Sequence, residues 1–336
     1  MIRDVDASVA DGASLLAQVT RGDLVESVHL GHLVVLGPDG NRLACIGDPD
    51  AIIYPRSSLK PLQAVAALRN GFDPDDDALL ALACSSHSGE PIHLAGTRKI
   101  LADAGLTEAN LQNTPGLPLD ADAAFEWRLA GHGPESIAAN CSGKHAAMLA
   151  ASKAQGYDLD TYRSPDHPHQ REVASVIAEL TGDTAVPHVA VDGCSAPLFS
   201  TTLSGLARAY ARLATAPAGT LEHRVATAMS QHPEYVGGTG RDVTAAMRQV
   251  PGLICKDGAE GVYAGALPDG SSFAFKILDG SGRPRSEILA AAIKTALQDD
   301  TFTADWLETP LPTSTVGRVH VEPLTVASTV TVTGAS

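Results

Sequence analysis

The sequence predicts an α+β protein in which a mainly antiparallel sheet is assembled from both ends of the chain around an inserted helical region. Strand-like runs occupy residues 28–53 and 252–278, and the stretch between them is rich in helical patterns. This order differs from the regular alternation of strand and helix that builds a parallel sheet. We therefore expect one domain of 336 residues, with its sheet from about 25–55 and 250–335 and its helices over about 57–248.

Two turns mark antiparallel strand pairs, one near each end of the predicted sheet. Asp39-Gly40 separates the apolar runs HLVVLG and RLACIG, and Asp-Gly between apolar runs is a strong hairpin signal. Pro268-Asp269-Gly270 separates GVYAGAL from SSFAFKIL in the same way. The Val- and Thr-rich end of the chain completes the expected sheet.

The inserted region and the segment after the second hairpin carry helix signals. Several of these stretches have Pro near the start and Gly just past the end, which is the usual asymmetry of helix termini. Phe199, Leu203, Leu206, Tyr210 and Leu213 are spaced by four and three residues, as on one helix face. The predicted helices span residues 61–70, 91–105, 142–155, 168–181, 199–213 and 284–297.

Composition narrows the possible partners and location. The formal charge of −15 argues against nucleic acid or an anionic membrane, because both attract basic surfaces. No run approaches the roughly 18 consecutive apolar residues of a membrane helix. The acidic N-terminus also lacks the basic start and apolar run of a secretory signal. We expect a cytoplasmic protein without a nucleic-acid or membrane partner.

Two segments place a nucleophilic side chain three residues before a Lys at a helix start. Ser57 precedes Lys60 in PRSSLKP, and Cys141 precedes Lys144 in NCSGKH. Residues at i and i+3 share a helix face, so the oxygen or sulfur can meet the amine. The helix dipole and burial both lower the pKa of such a Lys, and a neutral amine can accept a proton. Ser57 with Lys60 is thus a candidate nucleophile and base, although a capped helix start with a solvated Lys has the same spacing.

Three further polar segments follow apolar runs. Ser86 and His87 lie in CSSHSGE, Asp192 lies in DGCSAP, and Lys256 lies in ICKDG. Loops at the ends of core elements often carry functional residues. A helix cap, a turn and a strand-end charge would explain the same residues, so none of these segments decides the function alone.

Together the motifs resemble the bacterial L-asparaginase II family, of the inducible, thermolabile type. The resemblance runs from about Val25 to Gly282, and its motifs are PRSSLKPLQA, CSSHSGE, NCSGKHAAML, SPDHPHQ, DGCSAP, HPEYVGGTGR, KDGAEGVYA and KILDG. It implies a fold similar to serine β-lactamases, penicillin-binding proteins and serine-type glutaminases. It also implies a homodimer that hydrolyses L-asparagine to aspartate and ammonia.

The resemblance further implies two Ser–Lys pairs, Ser57 with Lys60 and Ser86 with Lys256. In amide hydrolysis, Ser57 would attack the carbonyl, Lys60 would take its proton, and Ser86 would relay a proton to the leaving ammonia. The cation Lys256 would help to keep Lys60 neutral. The backbone N–H of Ser57 would stabilise the oxyanion.

A free amino acid also carries two charges that the site must bind. Asp192 is the candidate for the α-ammonium, and Arg56 or Arg241 for the α-carboxylate through bidentate pairing. The sequence leaves the choice between the two Arg residues open. The other candidate substrate-binding residues are His87, Asn140 and Gly240.

A candidate metal site is implied by the same resemblance, at Cys141, Lys144 and Cys194. The five Cys residues are odd in number and contain no CxxC pair, so a disulfide framework is not expected. Two thiolates and a neutral Lys would suit tetrahedral Zn²⁺, but two reduced, buried thiols fit the same residues. Zn²⁺ is therefore an open prediction, and the Ser–Lys chemistry does not require a cofactor.

Other functions fit parts of this pattern. A glutaminase or another serine amidohydrolase of the same fold would use the same pairs, and a zinc-dependent amidohydrolase would use a metal-bound hydroxide. A β-lactam-binding enzyme would have Thr or Ser where this chain has Asp257, between Lys256 and Gly258. Asp257 would repel the carboxylate of such a substrate. A non-catalytic binding protein has no motif in its favour.

Overall fold

The protein is described by a computed structural model over residues 9–21, 23–183, 188–307 and 318–320. The described strands are β1 Ser14–Arg21, β2 Leu24–Leu36, β3 Arg42–Ile46, β4 Ile52–Ile53, β5 Val189–Val191, β6 Pro197–Phe199, β7 Thr201–Thr202, β8 Ile254–Gly258, β9 Val262–Ala266, β10 Ser272–Ile277 and β11 Arg318–His320. The described helices are α1 Lys60–Arg69, α2 Asp77–Ala83, α3 Pro91–Asp103, α4 Ala121–Leu129, α5 Ser142–Ala154, α6 Pro168–Thr181, α7 Leu203–Ala214, α8 Leu221–Gln231, α9 Pro233–Val236, α10 Asp242–Gln249 and α11 Arg285–Leu297.

The main sheet confirms the predicted fold class. Its order is β11-β1-β2-β10-β9-β8, with β3 added beside β2, and all of these pairings are antiparallel. The long strand β2 joins the two ends of the chain, since Leu33 lies opposite Phe275 and Val35 opposite Phe273. The helices from α1 to α10 lie between these sequence-distant halves, as expected from the order of patterns.

Both predicted hairpins are present. The turn containing Gly40 connects β2 to β3, and the turn containing Gly270 connects β9 to β10. Each of these glycines has a positive φ, 79° and 95° respectively, where a side chain would be strained. The carboxylate of Asp39 accepts the Asn41 backbone N–H at 3.0 Å, which closes the first turn.

The helix α7 buries the apolar face that its sequence predicted. Leu203, Leu206, Tyr210 and Leu213 are all fully buried, and the helix packs against β9 and β10. The helix begins at Leu203, so the prediction that it would include Phe199 was wrong. Phe199 lies in β6, and Thr202 caps the helix by accepting the Gly205 N–H at 2.9 Å.

Two other differences concern the ends of the sheet. The strand β1 precedes the predicted start of the sheet near residue 25, and it pairs with β2 and β11. Most of the Val- and Thr-rich end, which we expected to complete the sheet, lies outside the described residues. Within the described part of the chain, no helix combines the length and the apolar character needed to cross a membrane.

Candidate active site

Ser57 lies in a short 3-10 turn, Arg56–Leu59, that leads directly into α1. Arg56 has a φ of 55°, in the left-handed region that is costly for a residue with a side chain. The hydroxyl of Tyr210 donates a 2.7 Å hydrogen bond to the Ser58 carbonyl and holds the turn from within the core. Backbone strain of this kind is typically retained at functional sites, and here it immediately precedes the candidate nucleophile.

Lys60, the first residue of α1, is almost completely buried at 2% exposure. Its Nζ donates to the Ser86 hydroxyl at 3.0 Å and to the Ser85 carbonyl. Burial lowers the pKa of Lys60 to about 7, with Cys141 opposing this shift and the cation Lys256 adding to it. A substantial fraction of Lys60 is therefore neutral near pH 7 and able to accept a proton.

The hydrogen bonding differs from the pairs implied by the sequence. Lys60 contacts Ser86, and the hydroxyl of Ser57 makes no hydrogen bond within the described residues. Lys256 does not bond to Ser86; its Nζ donates to the carbonyl of Asp257, at 2.7 Å, and to the carboxylate of the same residue. The negative charge next to Lys256 explains the difference, because a buried ammonium takes the closest anion.

Asp257 is the centre of a cluster of cations. Its carboxylate accepts from Lys256 and from Arg241 Nη2 at 2.6 Å, and Arg285 Nη1 lies 3.9 Å away. Burial opposes ionisation of Asp257, but the three cations hold the pKa of its carboxyl well below its usual range. Burial also lowers the pKa of Lys256, while Asp257 raises it.

A cavity of about 460 Å³ opens beside these groups. It is lined by Ser57, Ser86, Ser88, Leu119, Asp120, Ala121, Asn140, Gly240, Arg241, Asp257, Gly258, Ala259 and Arg285. A second cavity, of about 560 Å³, contains Asp73, Asp75, Asp103 and Lys153 but neither of the candidate serines. The cavity of about 460 Å³, which contains both candidate serines, is therefore the candidate active site.

Three of the predicted substrate-binding residues do not line this cavity. Arg56 and Asp192 form an ion pair with each other, with Arg56 Nε 2.8 Å from Asp192 Oδ1. His87 is fully buried, its Nε2 lies 2.8 Å from the Ser142 hydroxyl, and its ring stacks on His93. Burial lowers the pKa of His87 well below its usual value, so its ring is neutral.

The three predicted metal ligands lie together at the start of α5. Lys144 Nζ is 3.1 Å from the Cys194 sulfur. Both Cys141 and Lys144 are nearly fully buried. A hydrogen bond from Cys141 and the charge of Lys144 hold the pKa of Cys194 below its usual value. Burial opposes a charge on Lys144, yet Cys194 and Cys141 raise its pKa, so this Lys is a cation paired with a thiolate.

His145, which the sequence did not assign as a ligand, completes this cluster. One ring nitrogen of His145 and the sulfurs of Cys141 and Cys194 offer three ligand atoms, all within 4.8 Å of one another. His145 Nδ1 lies 2.7 Å from the Tyr162 hydroxyl, while Nε2 is buried without a hydrogen-bond partner among the described residues. Two sulfurs and an imidazole oriented through its other nitrogen fit Zn²⁺.

A sequence model of L-asparaginase II matches residues 17–321. The chain belongs to the L-asparaginase II family. Among proteins with curated descriptions, none matches it.

Several solved structures are similar to this family member at low sequence identity. A β-lactamase from Mycobacterium bovis is 14% identical, with 81% of this chain and 95% of that chain covered and a TM-score of 0.43. Mglu in its native form is 15% identical over 79% of this chain and 64% of that one, with a TM-score of 0.42. EstCE1, a hydrolase with promiscuous acyltransferase activity, is 12% identical over 77% and 92%, with a TM-score of 0.40.

The motifs shared with the L-asparaginase II family identified five of the cavity residues, namely Ser57, Ser86, Asn140, Gly240 and Arg241. The sequence analysis missed Asp120 and Arg285 and noted Asp257 only as a departure from another motif. Asp120 directly precedes α4 as its N-cap, a signal that could have been read from the sequence DADAAFEW. Arg285 could not have been found, because only the folded sheet brings it to the cavity.

Proposed function

We propose that this chain hydrolyses the side-chain amide of L-asparagine to L-aspartate and ammonia, with a serine nucleophile and a lysine base. One observation carries the proposal. The buried Lys60, which has a pKa of about 7, donates a hydrogen bond to Ser86, and Ser86 lines the same cavity as Ser57. Membership of the L-asparaginase II family supports amide hydrolysis as the reaction class.

The first half-reaction forms an ester on Ser57. The hydroxyl oxygen of Ser57 attacks the amide carbon, and neutral Lys60 takes the hydroxyl proton. The backbone N–H of Ser57, beside the start of α1, stabilises the negative oxygen of the tetrahedral intermediate. The C–N bond then breaks, and the proton held by Lys60 passes through Ser86 to the leaving nitrogen, which departs as ammonia. The 3.0 Å contact between Lys60 and Ser86 supports this relay.

The second half-reaction reverses the roles of the same groups. Water enters in place of ammonia and attacks the ester carbonyl, while Lys60 takes its proton through Ser86. The oxygen–carbon bond to Ser57 breaks, the serine oxygen recovers a proton from Lys60, and L-aspartate is released. Lys60 ends the cycle neutral, so its lowered pKa serves both halves of the reaction.

The substrate α-carboxylate is assigned to Arg241 in this proposal, in preference to Arg56. Arg241 lines the cavity, whereas Arg56 is paired with Asp192. Arg241 donates to Asp257 through Nη2, and Asp257 is also shared with Lys256, so the charge of Arg241 is only partly compensated and favours a carboxylate in the cavity. Asn140 and Gly240 border the same space, and His87 supports it from within the core.

Zn²⁺ binding stays a proposal of its own. Cys141, Cys194 and His145 would hold the ion, and Lys144 could join them only after losing its proton. When bound, the metal would add positive charge near the site and would fix the start of α5. The hydrolysis steps derived for Ser57, Lys60 and Ser86 do not pass through it.

Glutaminase activity is the second candidate, because glutamine carries the same charges and the same amide on a longer side chain. Ammonia release from asparagine, glutamine and the β-lactam nitrocefin, measured side by side, tests the proposal. A Lys60→Met variant should abolish release from the preferred amide. If glutamine or nitrocefin is hydrolysed as fast as asparagine or faster, asparagine is not the preferred substrate and the proposal is wrong.

The inducible, thermolabile type, the homodimer and the cytoplasmic location also remain predictions, and sedimentation of the purified chain tests the dimer.

A further inference from the structure

We infer that Asp120 binds the α-ammonium of the substrate and makes a free α-amino group a condition of hydrolysis. The assignment rests on the proposed function, since it concerns an amino acid bound beside Ser57 and Ser86. Asp120 lines the same cavity as both serines. It replaces Asp192, to which the sequence had given this role.

Two carboxylates line the cavity, Asp120 and Asp257. The charge of Asp257 is already shared by Lys256, Arg241 and the nearby Arg285. A substrate ammonium added there would face three cations. Asp257 therefore shapes the carboxylate end of the site and is unsuited to bind an ammonium.

Asp192 is committed elsewhere. Its Oδ1 accepts from Arg56 Nε at 2.8 Å and from the Gly193 N–H at 2.8 Å. Its Oδ2 lies 3.7 Å from the Cys194 sulfur. The carboxylate of Asp192 is thus engaged with Arg56, and the residue is not among those that line the cavity.

Asp120, in contrast, has an available oxygen and a fixed position. Its Oδ1 accepts the Ala123 N–H at 2.9 Å and caps α4, and its backbone N–H donates to the Ser88 carbonyl at 3.0 Å. Within the described residues, Asp120 Oδ2 has no hydrogen-bond partner. The contact with Ser88 ties Asp120 to the segment that carries Ser86, so the carboxylate and the reacting hydroxyls are held in one frame.

The cavity is therefore lined by a carboxylate at the start of α4 and by the guanidinium groups of Arg241 and Arg285. Such an arrangement matches a free amino acid, whose ammonium and carboxylate have opposite charges. An acylated or peptide-linked asparagine lacks the ammonium and would leave Asp120 Oδ2 facing the substrate without an opposite charge. The structure thus favours free asparagine over asparagine within a peptide.

The test compares L-asparagine with succinamate, which is asparagine without its α-amino group. An Asp120→Asn substitution keeps the cap, because Asn is as good an N-cap as Asp, but it removes the charge. The expected loss in kcat/KM for L-asparagine is about 10- to 100-fold, whereas kcat/KM for succinamate should stay within about fivefold of the unsubstituted chain. Competitive inhibition gives a second readout: L-aspartate should weaken as an inhibitor and succinate should not.

Asp122→Asn is the matched control. It removes the same charge from the first turn of the same helix, but Asp122 is exposed and does not line the cavity. Both substrates should then be hydrolysed within about fivefold of the original rate. Equal losses for asparagine and succinamate in Asp120→Asn, or equal losses in the two variants, would overturn the assignment. No hydrolysis of L-asparagine by the unsubstituted chain would instead overturn the proposed function, and the assignment with it.

Discussion

Lys60 Nζ and Ser86 Oγ, 26 residues apart in the sequence, are joined by a 3.0 Å hydrogen bond in the interior of the protein. The bond connects the start of α1 to the segment that follows α2. Lys60 also follows Ser57 by one helical turn, so a single amine can serve both serines. The two hydroxyls need not be equivalent, and mutation can separate their roles.

Ser57→Ala should abolish hydrolysis while asparagine still binds. Loss of a catalytic nucleophile lowers kcat by at least about 10³-fold. Ser86→Ala removes the relay and should cost about 10²-fold. Steady-state ammonia release and equilibrium binding of L-aspartate measure the two effects. A larger loss in Ser86→Ala than in Ser57→Ala would transfer the nucleophile role to Ser86.

The activity should rise with pH through a value set by Lys60. The pKa of this residue is lowered to about 7, and the reaction requires the neutral amine. The rate therefore falls below pH 7 as Lys60 gains a proton, and it reaches a plateau in mildly alkaline solution. A profile of kcat/KM against pH checks this expectation. A rising limb near the pKa of a free Lys, about 10.4, would contradict it.

In Lys256→Met, the rise of kcat/KM with pH should move to higher pH. Lys256 lowers the pKa of Lys60, so removing this cation lets the pKa of Lys60 rise. Lys276→Met is a suitable control, because it removes another largely buried Lys from the same sheet, in strand β10. Lys276 is not among the principal charges that act on Lys60. A limb that does not move in Lys256→Met would show that Lys60 and Lys256 titrate independently.

The purified chain should contain one Zn²⁺ per protomer when chelators are avoided. Elemental analysis measures the content, and Co²⁺ substitution should give the intense charge-transfer absorption of thiolate ligands. Cys194→Ser and His145→Gln should both reduce metal content. If His145→Gln keeps its full zinc content and Lys144→Met loses zinc, the nitrogen ligand is Lys144 and not His145. If the purified protein contains no metal and its thiols are reduced, Cys141 and Cys194 are two buried thiols and not metal ligands.

Tyr210→Phe should disturb the turn that holds Ser57 without changing the surface of the cavity. The variant loses the 2.7 Å hydrogen bond to the Ser58 carbonyl, which leaves a buried acceptor unpaired. The expected cost is about 1–3 kcal/mol in the free energy of unfolding, with a lower kcat and little change in KM. Urea denaturation and kinetics measure both. Tyr157→Phe is the control, because Tyr157 is only partly buried. Its free energy of unfolding and its kcat should stay close to those of the unsubstituted chain.

The fold could be predicted to a large extent because local signals were strong where they mattered. The helix predicted over residues 168–181 is α6, Pro168–Thr181, bounded by a Pro at its first turn and Gly182 after its end. The hairpin turns at Gly40 and Gly270 were equally clear. The strand β1 was missed, since its sequence SLLAQVTR is short and gains its strand character from pairing with β2.

The candidate site was only partly predictable, because its contacts depend on the folded chain. Spacing identified Ser57 with Lys60, yet the bond between Lys60 and Ser86 arises from the packing of separate segments. Lys256 donates to the carboxylate of Asp257 and not to Ser86, and this choice depends on distances inside the fold. His145 lay next to a predicted ligand, but the direction of its ring could not be read from the sequence.

The pairing of β2 with β10 has a consequence for synthesis. The centre of the sheet closes only when Phe275 is available to lie opposite Leu33, so this protein cannot complete its core until the chain has left the ribosome beyond Phe275. A nascent chain ending before Ile254 would already hold Ser57, Lys60 and Ser86, but no cation cluster around Asp257. It would also expose one edge of an apolar strand, a template for aggregation. Activity and protection from aggregation should therefore appear together, late in synthesis.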